Sequence, residues 1–335
     1  MPIDTIETEA IRIHSYGGPD QMRHECIAVP APAAGEVQIR QHAVGVNYLD
    51  TYHRRGVFPL PDLPGVLGVE GSGVVVAVGA GVTGLSLGQR VAYFGRPIGS
   101  YAGLRNIPAA AVLPLPDAIS HESAAAVTLQ GITAHMLLRR VAPVRSGQSV
   151  LIHAAAGGLG AILCQWARRD GARVIGTVGS EEKAEVARTA GCDEVILYRQ
   201  EPFAEAVARL TDGAGVDVVF EGLGGQVFHD SLGCLRPFGH LVNLGQVAEG
   251  LPGVELSALG PARSLTVSVP GVFAYGADRA RLEAAGAELF ELVASGALEV
   301  RIGGRFPLAE AAEAHRALES RGTTGALVLI PEAAG

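Results

Sequence analysis

The stretch SVLIHAAAGGLG at residues 149–160 decides the fold. A short apolar strand ends in a turn of small residues, and an apolar helix over 161–168 follows. Small residues let the backbone approach a pyrophosphate, and a helix N-terminus offers that anion unpaired N–H groups. A second strand at 172–177 completes βαβ spacing, so we predict a dinucleotide-binding turn. The residues assigned to the turn are Ala154, Gly157, Gly158, Leu159 and Gly160.

Beyond this turn, apolar strands alternate with amphipathic helices. The predicted strands are 149–153, 172–177, 194–198, 216–221, 239–244 and 265–269. The predicted helices between them include 181–190, 203–211 and 226–235. Six such strands predict an α/β fold with a doubly wound parallel sheet of the Rossmann type.

The segments on either side of this unit predict a second domain. The N-terminal third is rich in strand and turn residues, and its uncharged segment 71–88 predicts two strands and a turn rather than a membrane span. Helices at 278–295 and 308–320 and a strand at 325–330 do not extend the six-stranded unit. We therefore predict a discontinuous first domain over 1–127 and 271–335, around a nucleotide-binding domain over 128–270.

Composition narrows the possible partners and the cellular location. The chain has 335 residues and a net charge of −8, with no basic block, which argues against nucleic acid or a membrane surface as a partner. The first nine residues are acidic and lack an apolar segment, so we expect no signal peptide. Four well-separated cysteines, Cys26, Cys164, Cys192 and Cys234, predict buried thiols in a cytoplasmic protein.

Four motifs carry a resemblance that covers essentially the whole chain. They are GVNYLDTYHRRG (45–56), LGVEGSGVV (67–75), HAAAGGLG (153–160) and LESRGTTGALVLIP (318–331). In this order they resemble the zinc-free quinone oxidoreductases of the medium-chain dehydrogenase/reductase superfamily, which also includes zeta-crystallin. The resemblance implies a GroES-like catalytic domain built from both termini, a central Rossmann domain, NADPH as the cofactor, and a homodimer.

The positions at which relatives bind zinc carry unsuitable residues. Zinc enzymes of this superfamily bind a catalytic metal at positions that correspond to Asn47 and Val69, and neither residue is a suitable zinc ligand. No cysteine cluster follows between residues 90 and 120. His24 and Cys26 are close in sequence but stand alone, so we interpret them as a surface histidine and a buried thiol. The sequence thus predicts no metal.

The end of the second predicted strand favours NADP over NAD. An NAD site typically has an acid about 20 residues after the glycine turn, where this chain has Gly179 and Ser180. Lys183 then suits a 2′-phosphate, although Ser180 is equally typical of a helix cap. Glu181 or Glu182 as a ribose ligand remains an alternative. The resemblance adds Tyr198 and Arg321 as further phosphate contacts.

The family motifs also suggest where chemistry takes place. By resemblance, Asn47, Asp50 and Tyr52 line the nicotinamide and substrate pocket. The alternative for Asp50 is that it only caps a turn. Two further groups are expected nearby: Gln130 and Thr133 in the pocket, and Gly245 and Gln246 at the carboxyl end of the fifth strand. Glu221 ends the fourth strand, and its role is left open.

The leading hypothesis is metal-independent, NADPH-dependent reduction of quinones. One alternative is a reductase of enones or enoyl thioesters, which adds hydride to a carbon–carbon double bond and in which Tyr52 would be a candidate proton donor. A third hypothesis is a non-catalytic NADPH-binding or RNA-binding protein like a crystallin, which the acidic composition disfavours. The edge strand at 265–269 is the expected seam of a homodimer.

Overall fold

A computed structural model describes residues 5–247, 250 and 253–332. The chain divides into two compact units. The first unit comprises the chain up to Ile132 together with the chain from Phe273 onward, and the second unit comprises residues 133–272. Among the described residues, no helix combines the length and apolar character that a membrane crossing requires.

The N-terminal part of the first unit is mainly β-structure. Strand β3 is central to its larger sheet, in which it pairs with β5 and β7. The elements of this part are β1 (Thr5–Ile13), β2 (Met22–Pro30), β3 (Glu36–Val46), α1 (Tyr48–Arg55), β4 (Gly65–Val66), β5 (Glu70–Val78), β6 (Arg90–Phe94), β7 (Leu104–Pro108), β8 (Val112–Pro114) and α2 (His121–Met136).

The second unit contains the predicted doubly wound sheet. The strands are parallel in the order β11-β10-β9-β12-β13-β14. Successive strands are added on one side of β9 up to β11 and on its other side from β12 onward, so the strand order reverses beside β9. The α/β prediction is therefore confirmed. The elements are β9 (Ser149–Ile152), α3 (Gly158–Arg169), β10 (Arg173–Val178), α4 (Glu181–Thr189), β11 (Glu194–Leu197), α5 (Phe203–Leu210), β12 (Val216–Glu221), α6 (Gly225–Gly233), β13 (Leu235–Asn243) and β14 (Thr266–Ser268).

The chain then returns to the first unit. Strand β16 pairs antiparallel with the last residues of β3, with Leu327 opposite Val46. The second predicted helix begins three residues late, because Leu308–Glu310 form a separate 3-10 turn. The elements of this return are α7 (Val272–Gly276), α8 (Arg279–Ala294), β15 (Ile302–Pro307), α9 (Ala311–Glu319) and β16 (Ala326–Ile330).

Two strand predictions are wrong in their bounds. The segment 71–88 contains one strand and a loop, because glycines 81, 84 and 88 adopt positive φ and interrupt extended backbone; the next strand begins only at Arg90. Strand β13 starts at Leu235 instead of Gly239. A register irregularity opposite β12 accommodates Phe238 in the left-handed region (φ 64°), so the strand continues through a Pro-Phe-Gly sequence that is typical of a turn.

The prediction of four buried cysteines is wrong for Cys26. Cys26 lies on an outward-facing position of β2, and its thiol donates to Glu7 Oε2 at 3.0 Å. Strand alternation decides this, because side chains of the exposed face cannot reach the core. The other three thiols are buried, and those of Cys164 and Cys192 lie 3.3 Å apart.

A polar chain inside the first unit connects α1 with α9. Arg54 on α1 is 2% exposed and donates to both carboxylate oxygens of Glu319 at 2.8 and 3.1 Å. The same guanidinium donates to His315 Nδ1 at 2.9 Å. His315 Nε2 lies 2.9 Å from the Tyr101 hydroxyl. Burial and the neighbouring guanidinium lower the pKa of His315 to about 3, so the imidazole is neutral and its remaining proton is on Nε2.

We predict that Arg54→Met lowers the free energy of unfolding by about 3 kcal/mol, because it leaves buried polar partners unmatched. Urea unfolding at pH 7 measures this loss. Arg316→Met on the same helix as Glu319 is the matched control, since its ion pair with Glu313 is exposed and contributes less than about 0.5 kcal/mol. Equal losses in the two variants would contradict the prediction.

Candidate active site

The junction between β3 and the first turn of α1 carries two of the predicted catalytic residues. Asn47 is the N-cap of α1, and its backbone N–H donates to Asp50 Oδ2 at 2.8 Å in a capping box. The Tyr101 hydroxyl donates to the same oxygen at 3.1 Å. Asp50 is completely buried, and burial raises the pKa of its carboxyl to about 7. Asp50 thus belongs to the capping box of a helix, whereas the sequence alternative was a turn cap, and its catalytic role stays a prediction.

Glu70, at the start of β5, is a site residue that the sequence interpretation missed. Asn47 Nδ2 donates to Glu70 Oε2 at 2.8 Å, and the Leu129 backbone N–H donates to Oε1 at 2.6 Å. A Cβ on Gly45 would overlap Oε2, so glycine there makes room for the carboxyl. Burial raises the pKa of Glu70 to about 8. The available signal was an acid that follows apolar Val69 in a motif of the resemblance.

The predicted residue Tyr52 lies on α1, one turn after the cap. It is largely buried, and its ring packs edge-on against Phe58 at a centroid distance of 5.7 Å. The preceding tyrosine of the motif, Tyr48, donates its hydroxyl to the Leu318 carbonyl at 2.8 Å. This contact ties α1 to the end of α9, so the motif contributes to structure as well as to the candidate site.

The two predicted pocket residues lie on α2. Gln130 directly follows the residue that donates to Glu70, and its Oε1 is buried with no hydrogen-bond partner among the described residues. A buried amide oxygen without a donor is costly, and a ligand donor would relieve that cost. Thr133 stands three positions later, at a spacing that places two side chains on one helix face.

The turn that we predict to bind a dinucleotide lies between β9 and α3. Ala154 adopts the left-handed conformation with φ 51°, where the usual fingerprint has glycine. The Gly157 N–H donates to the Ala154 carbonyl at 2.9 Å, which closes the turn. A Cβ on Gly160 would overlap that same carbonyl oxygen, so Gly160 is required for packing of the helix on the turn.

The N-terminus of α3 has the features of an anion site. Gly157 is its N-cap and has no side chain to occupy the free N–H groups of the first turn, which includes Gly158, Leu159 and Gly160. These N–H groups and the helix dipole suit a pyrophosphate. The residues present therefore fit the diphosphate of a dinucleotide.

The end of β10 brings together the predicted phosphate residues. Ser180 caps α4 by accepting the Lys183 backbone N–H at 3.4 Å, so the cap interpretation is confirmed. Lys183 is the only lysine of the chain. Its pKa is lowered by burial and by the positive charge of Arg199, which lies close by. A Cβ on Gly179 would touch the Tyr198 hydroxyl, so this hydroxyl also lies beside the turn.

Arg199 is a second residue that the sequence interpretation missed. No carboxylate among the described residues pairs with its guanidinium, and its charge disfavours the protonated form of Lys183. Two neighbouring cations repel each other, and the negative charge of Glu182 offsets this repulsion only in part, because the pKa of Lys183 remains lowered. The arrangement suits a phosphate better than ribose hydroxyls alone. The signal was its position directly after Tyr198 at the end of a strand. Arg321 lies in the first unit, in the turn after α9, and its phosphate contact stays a prediction.

The carboxyl ends of β12 and β13 are connected through Glu221. Its carboxylate accepts the backbone N–H groups of Leu223 and Gly224 and the Asn243 side-chain amide, the last at 2.7 Å. Asn243 Oδ1 in turn accepts the Gly245 N–H at 3.2 Å. Glu221 therefore shapes the loops in which Gly245 and Gln246 lie, which answers the question the sequence left open.

The residues at the zinc positions do not fit a metal ion. Val69 is fully buried and offers no donor atom, and the amide of Asn47 is engaged by Glu70. Within residues 5–247, 250 and 253–332, no group of three or more His, Cys, Asp or Glu side chains could hold a metal. The argument against a metal site is therefore that the side chains at these positions lack suitable donor atoms.

Comparisons with known proteins identify the family. Residues 33–117 match the alcohol dehydrogenase GroES-like domain, and residues 190–329 match a domain described as zinc-binding dehydrogenase. The chain is 43% identical to a quinone oxidoreductase of Pseudomonas aeruginosa, over 96% of this chain and 99% of that protein. The chain belongs to the quinone oxidoreductase family. The resemblance seen in the sequence is therefore confirmed.

Two further relatives of this chain bear on its function. The crystal structure of the Escherichia coli quinone oxidoreductase complexed with NADPH superposes with a TM-score of 0.94 at 41% identity, covering 96% of this chain and 100% of that one. A 2-haloacrylate reductase of a Burkholderia species is 42% identical over 96% of this chain and 98% of that protein. The relatives of this chain are thus named for two kinds of substrate.

We predict that Lys183→Glu weakens binding of NADPH by about 100-fold or more and leaves NADH binding nearly unchanged, because it places a repulsive charge beside the 2′-phosphate. Fluorescence titration with each nucleotide measures both constants. Arg188→Glu on the same helix is the matched control and should change neither. Equal losses for NADPH and NADH in Lys183→Glu would refute the 2′-phosphate assignment.

We predict that Gly157→Val weakens binding of NADPH and NADH alike by about 100-fold, because its methyl groups occupy the approach of the pyrophosphate. A Cβ there lies 3.2 Å from the Ala154 carbonyl, so the fold tolerates the change with a small shift. Ala154→Gly is the control in the same turn: it should bind both nucleotides normally and gain about 1 kcal/mol of stability, since glycine favours the left-handed conformation. Normal NADPH affinity in Gly157→Val would show that the turn is misassigned.

Proposed function

We propose that this protein reduces quinones by hydride transfer from NADPH, without a metal ion. The observation that carries the proposal is the 43% identity, over nearly the full length, with a quinone oxidoreductase. The relative solved with NADPH supports the choice of cofactor, as do the two cations at the end of β10. NADPH supplies the hydride, and the residues of this chain bind it and orient the substrate.

The nucleotide would be held by the second unit. The turn from Ala154 to Gly160 and the N-terminus of α3 would bind the pyrophosphate. Lys183, Tyr198 and Arg199 would bind the 2′-phosphate, with Ser180 capping the helix beside them. Gly245 and Gln246 would border the nucleotide at the carboxyl ends of the strands, where doubly wound sheets bind ligands.

The substrate would be oriented by the first unit. Asn47 has an amide N–H that can donate to a carbonyl oxygen, and Tyr52 offers an aromatic ring next to Phe58. A quinone that accepts hydride becomes a hydroquinone anion, whose oxygen takes a proton from water. No dedicated general acid is therefore required. Gln130 and Thr133 would border the same substrate and are candidate specificity positions.

Reduction of a conjugated carbon–carbon double bond is the second candidate function. The specific observation in its favour is the 42% identity with a 2-haloacrylate reductase. That reaction adds hydride to one carbon and a proton to the next, so it benefits from a placed proton donor, for which Tyr52 is the candidate.

We further propose that the protein works in the cytoplasm as a homodimer. The three buried free thiols suit a reducing compartment. Strand β14 is the edge of its sheet, and Val269 beyond it is exposed, which suits pairing with a second copy. The net charge of −8 disfavours nucleic acid as a partner.

The deciding experiment is steady-state oxidation of NADPH and of NADH with three acceptors: 1,4-benzoquinone, a 2-haloacrylate and an enoyl thioester. We expect turnover of the quinone with NADPH, unchanged after prolonged treatment with a chelator. Turnover of the haloacrylate or the enoyl thioester alone would establish the second candidate instead. Tight NADPH binding with no turnover of any acceptor would favour a non-catalytic role.

A further inference from the structure

The contact between Glu70 and Asn47 fixes the orientation of the Asn47 side-chain amide. Asn47 Nδ2 donates to Glu70 Oε2 at 2.8 Å, and Glu70 accepts a second N–H from Leu129 on α2. Both oxygens of Glu70 therefore act as acceptors, and the nitrogen side of the Asn47 amide faces them. The amide nitrogen has a second N–H, for which the described residues offer no acceptor.

The backbone of Asn47 is fixed as firmly as its side chain. Its N–H donates to Asp50, which the Tyr101 hydroxyl also contacts. Because Arg54 donates to His315 Nδ1, the neutral imidazole must donate from Nε2 to the Tyr101 oxygen, and the Tyr101 proton then points to Asp50. In this series of hydrogen bonds, Arg54 donates to His315, His315 donates to Tyr101, and Tyr101 donates to the capping carboxylate of Asp50.

Among the described residues, no cation contributes to the pKa of Glu70, so none neutralises its carboxylate. The ionisable neighbours that affect it are Asp50, which disfavours a second negative charge, and Tyr101, whose own ionisation Glu70 opposes. Helix α2 contributes only backbone N–H groups. A buried acid in such a place is costly, so its retention at full burial calls for a role other than packing.

We infer that Glu70 is a positioning residue: it orients the Asn47 amide so that the second N–H donates to the substrate oxygen that becomes negative on hydride transfer. This inference rests on the proposed function. In the reaction, the hydride and its electron pair pass from NADPH to the quinone, charge develops on a quinone oxygen, and water supplies the proton. A pre-oriented N–H at that oxygen stabilises the transition state more than the ground state.

The test compares variants that keep or remove the acceptor. Glu70→Gln retains one acceptor oxygen of the same reach for Asn47 and loses the acceptor of the Leu129 N–H, whereas Glu70→Met has similar size and no comparable acceptor. We expect Glu70→Met to lower kcat for benzoquinone by about 100-fold at unchanged NADPH affinity, and Glu70→Gln to recover most of that loss. Glu205→Gln, an exposed position on α5, is the control and should match the unaltered protein.

A double-mutant cycle with Asn47→Ala shows whether Glu70 acts through Asn47. In the Asn47→Ala background, Glu70→Met should have no further effect on kcat. Independent, multiplicative losses would overturn the inference, as would an unchanged kcat in Glu70→Met. A purely structural role would lower the unfolding temperature of both Glu70 variants and leave kcat per folded molecule unchanged.

A spectroscopic measurement separates this inference from the proposed function and does not depend on the folding of Glu70→Met. In protein labelled at asparagine with ¹⁵N, the two Asn47 amide protons should be distinct, and one should exchange slowly with water because it is bonded to Glu70. Glu70→Gln should keep the protected proton, since its oxygen still accepts. Rapid exchange of both protons in the unaltered protein would overturn the inference, even if quinone turnover were observed. Absent turnover with a protected proton would refute only the proposed function.

Discussion

The ion pair between Arg54 and Glu319 is the interaction on which the first unit depends. It joins α1, which follows β3, to α9, which belongs to the returning segment of the chain. Arg54 is almost fully buried, so its charge must be matched inside the protein. The guanidinium also fixes the tautomer of His315, and through Tyr101 it fixes the carboxylate that caps α1. The position of Asn47 is thus determined by an arginine seven residues along the chain and by a helix near its end.

The second unit is organised by a different constraint, the close approach of backbone segments in the turn between β9 and α3. Ala154 in the left-handed region and the tight packing at Gly160 shape a turn that leaves the N-terminus of α3 uncapped. One strand away, the chain places its single lysine next to an arginine, although the protein as a whole is acidic. The positive charge at this place attracts an anionic ligand, whereas the negative charge of the rest of the molecule repels anions elsewhere on its surface.

Local patterns in the sequence predicted the parts of the fold that depend on local chemistry. The strand–turn–helix pattern at 149–160 and the cap at Ser180 are examples, because small residues and caps act within a few positions. The start of β13 was missed, because its bulge depends on pairing with β12. The exposure of Cys26 depends on which face of a sheet is covered, and that too is a long-range property. The sequence interpretation missed Glu70 and Arg199 for the same reason. Glu70 contacts Asn47, which is 23 positions away, and Arg199 lies near Lys183, which is 16 positions away.

The discontinuous first unit has a consequence for synthesis of the protein. Asn47 and Asp50 leave the ribosome early, but His315 and Glu319, which complete their support, are translated only after the whole second unit. Domains generally fold as units while the chain grows. In this chain the second unit, whose residues are contiguous, can fold first, and the N-terminal residues must wait with Arg54 unpaired. A nascent chain of this protein can therefore complete its second unit before its first.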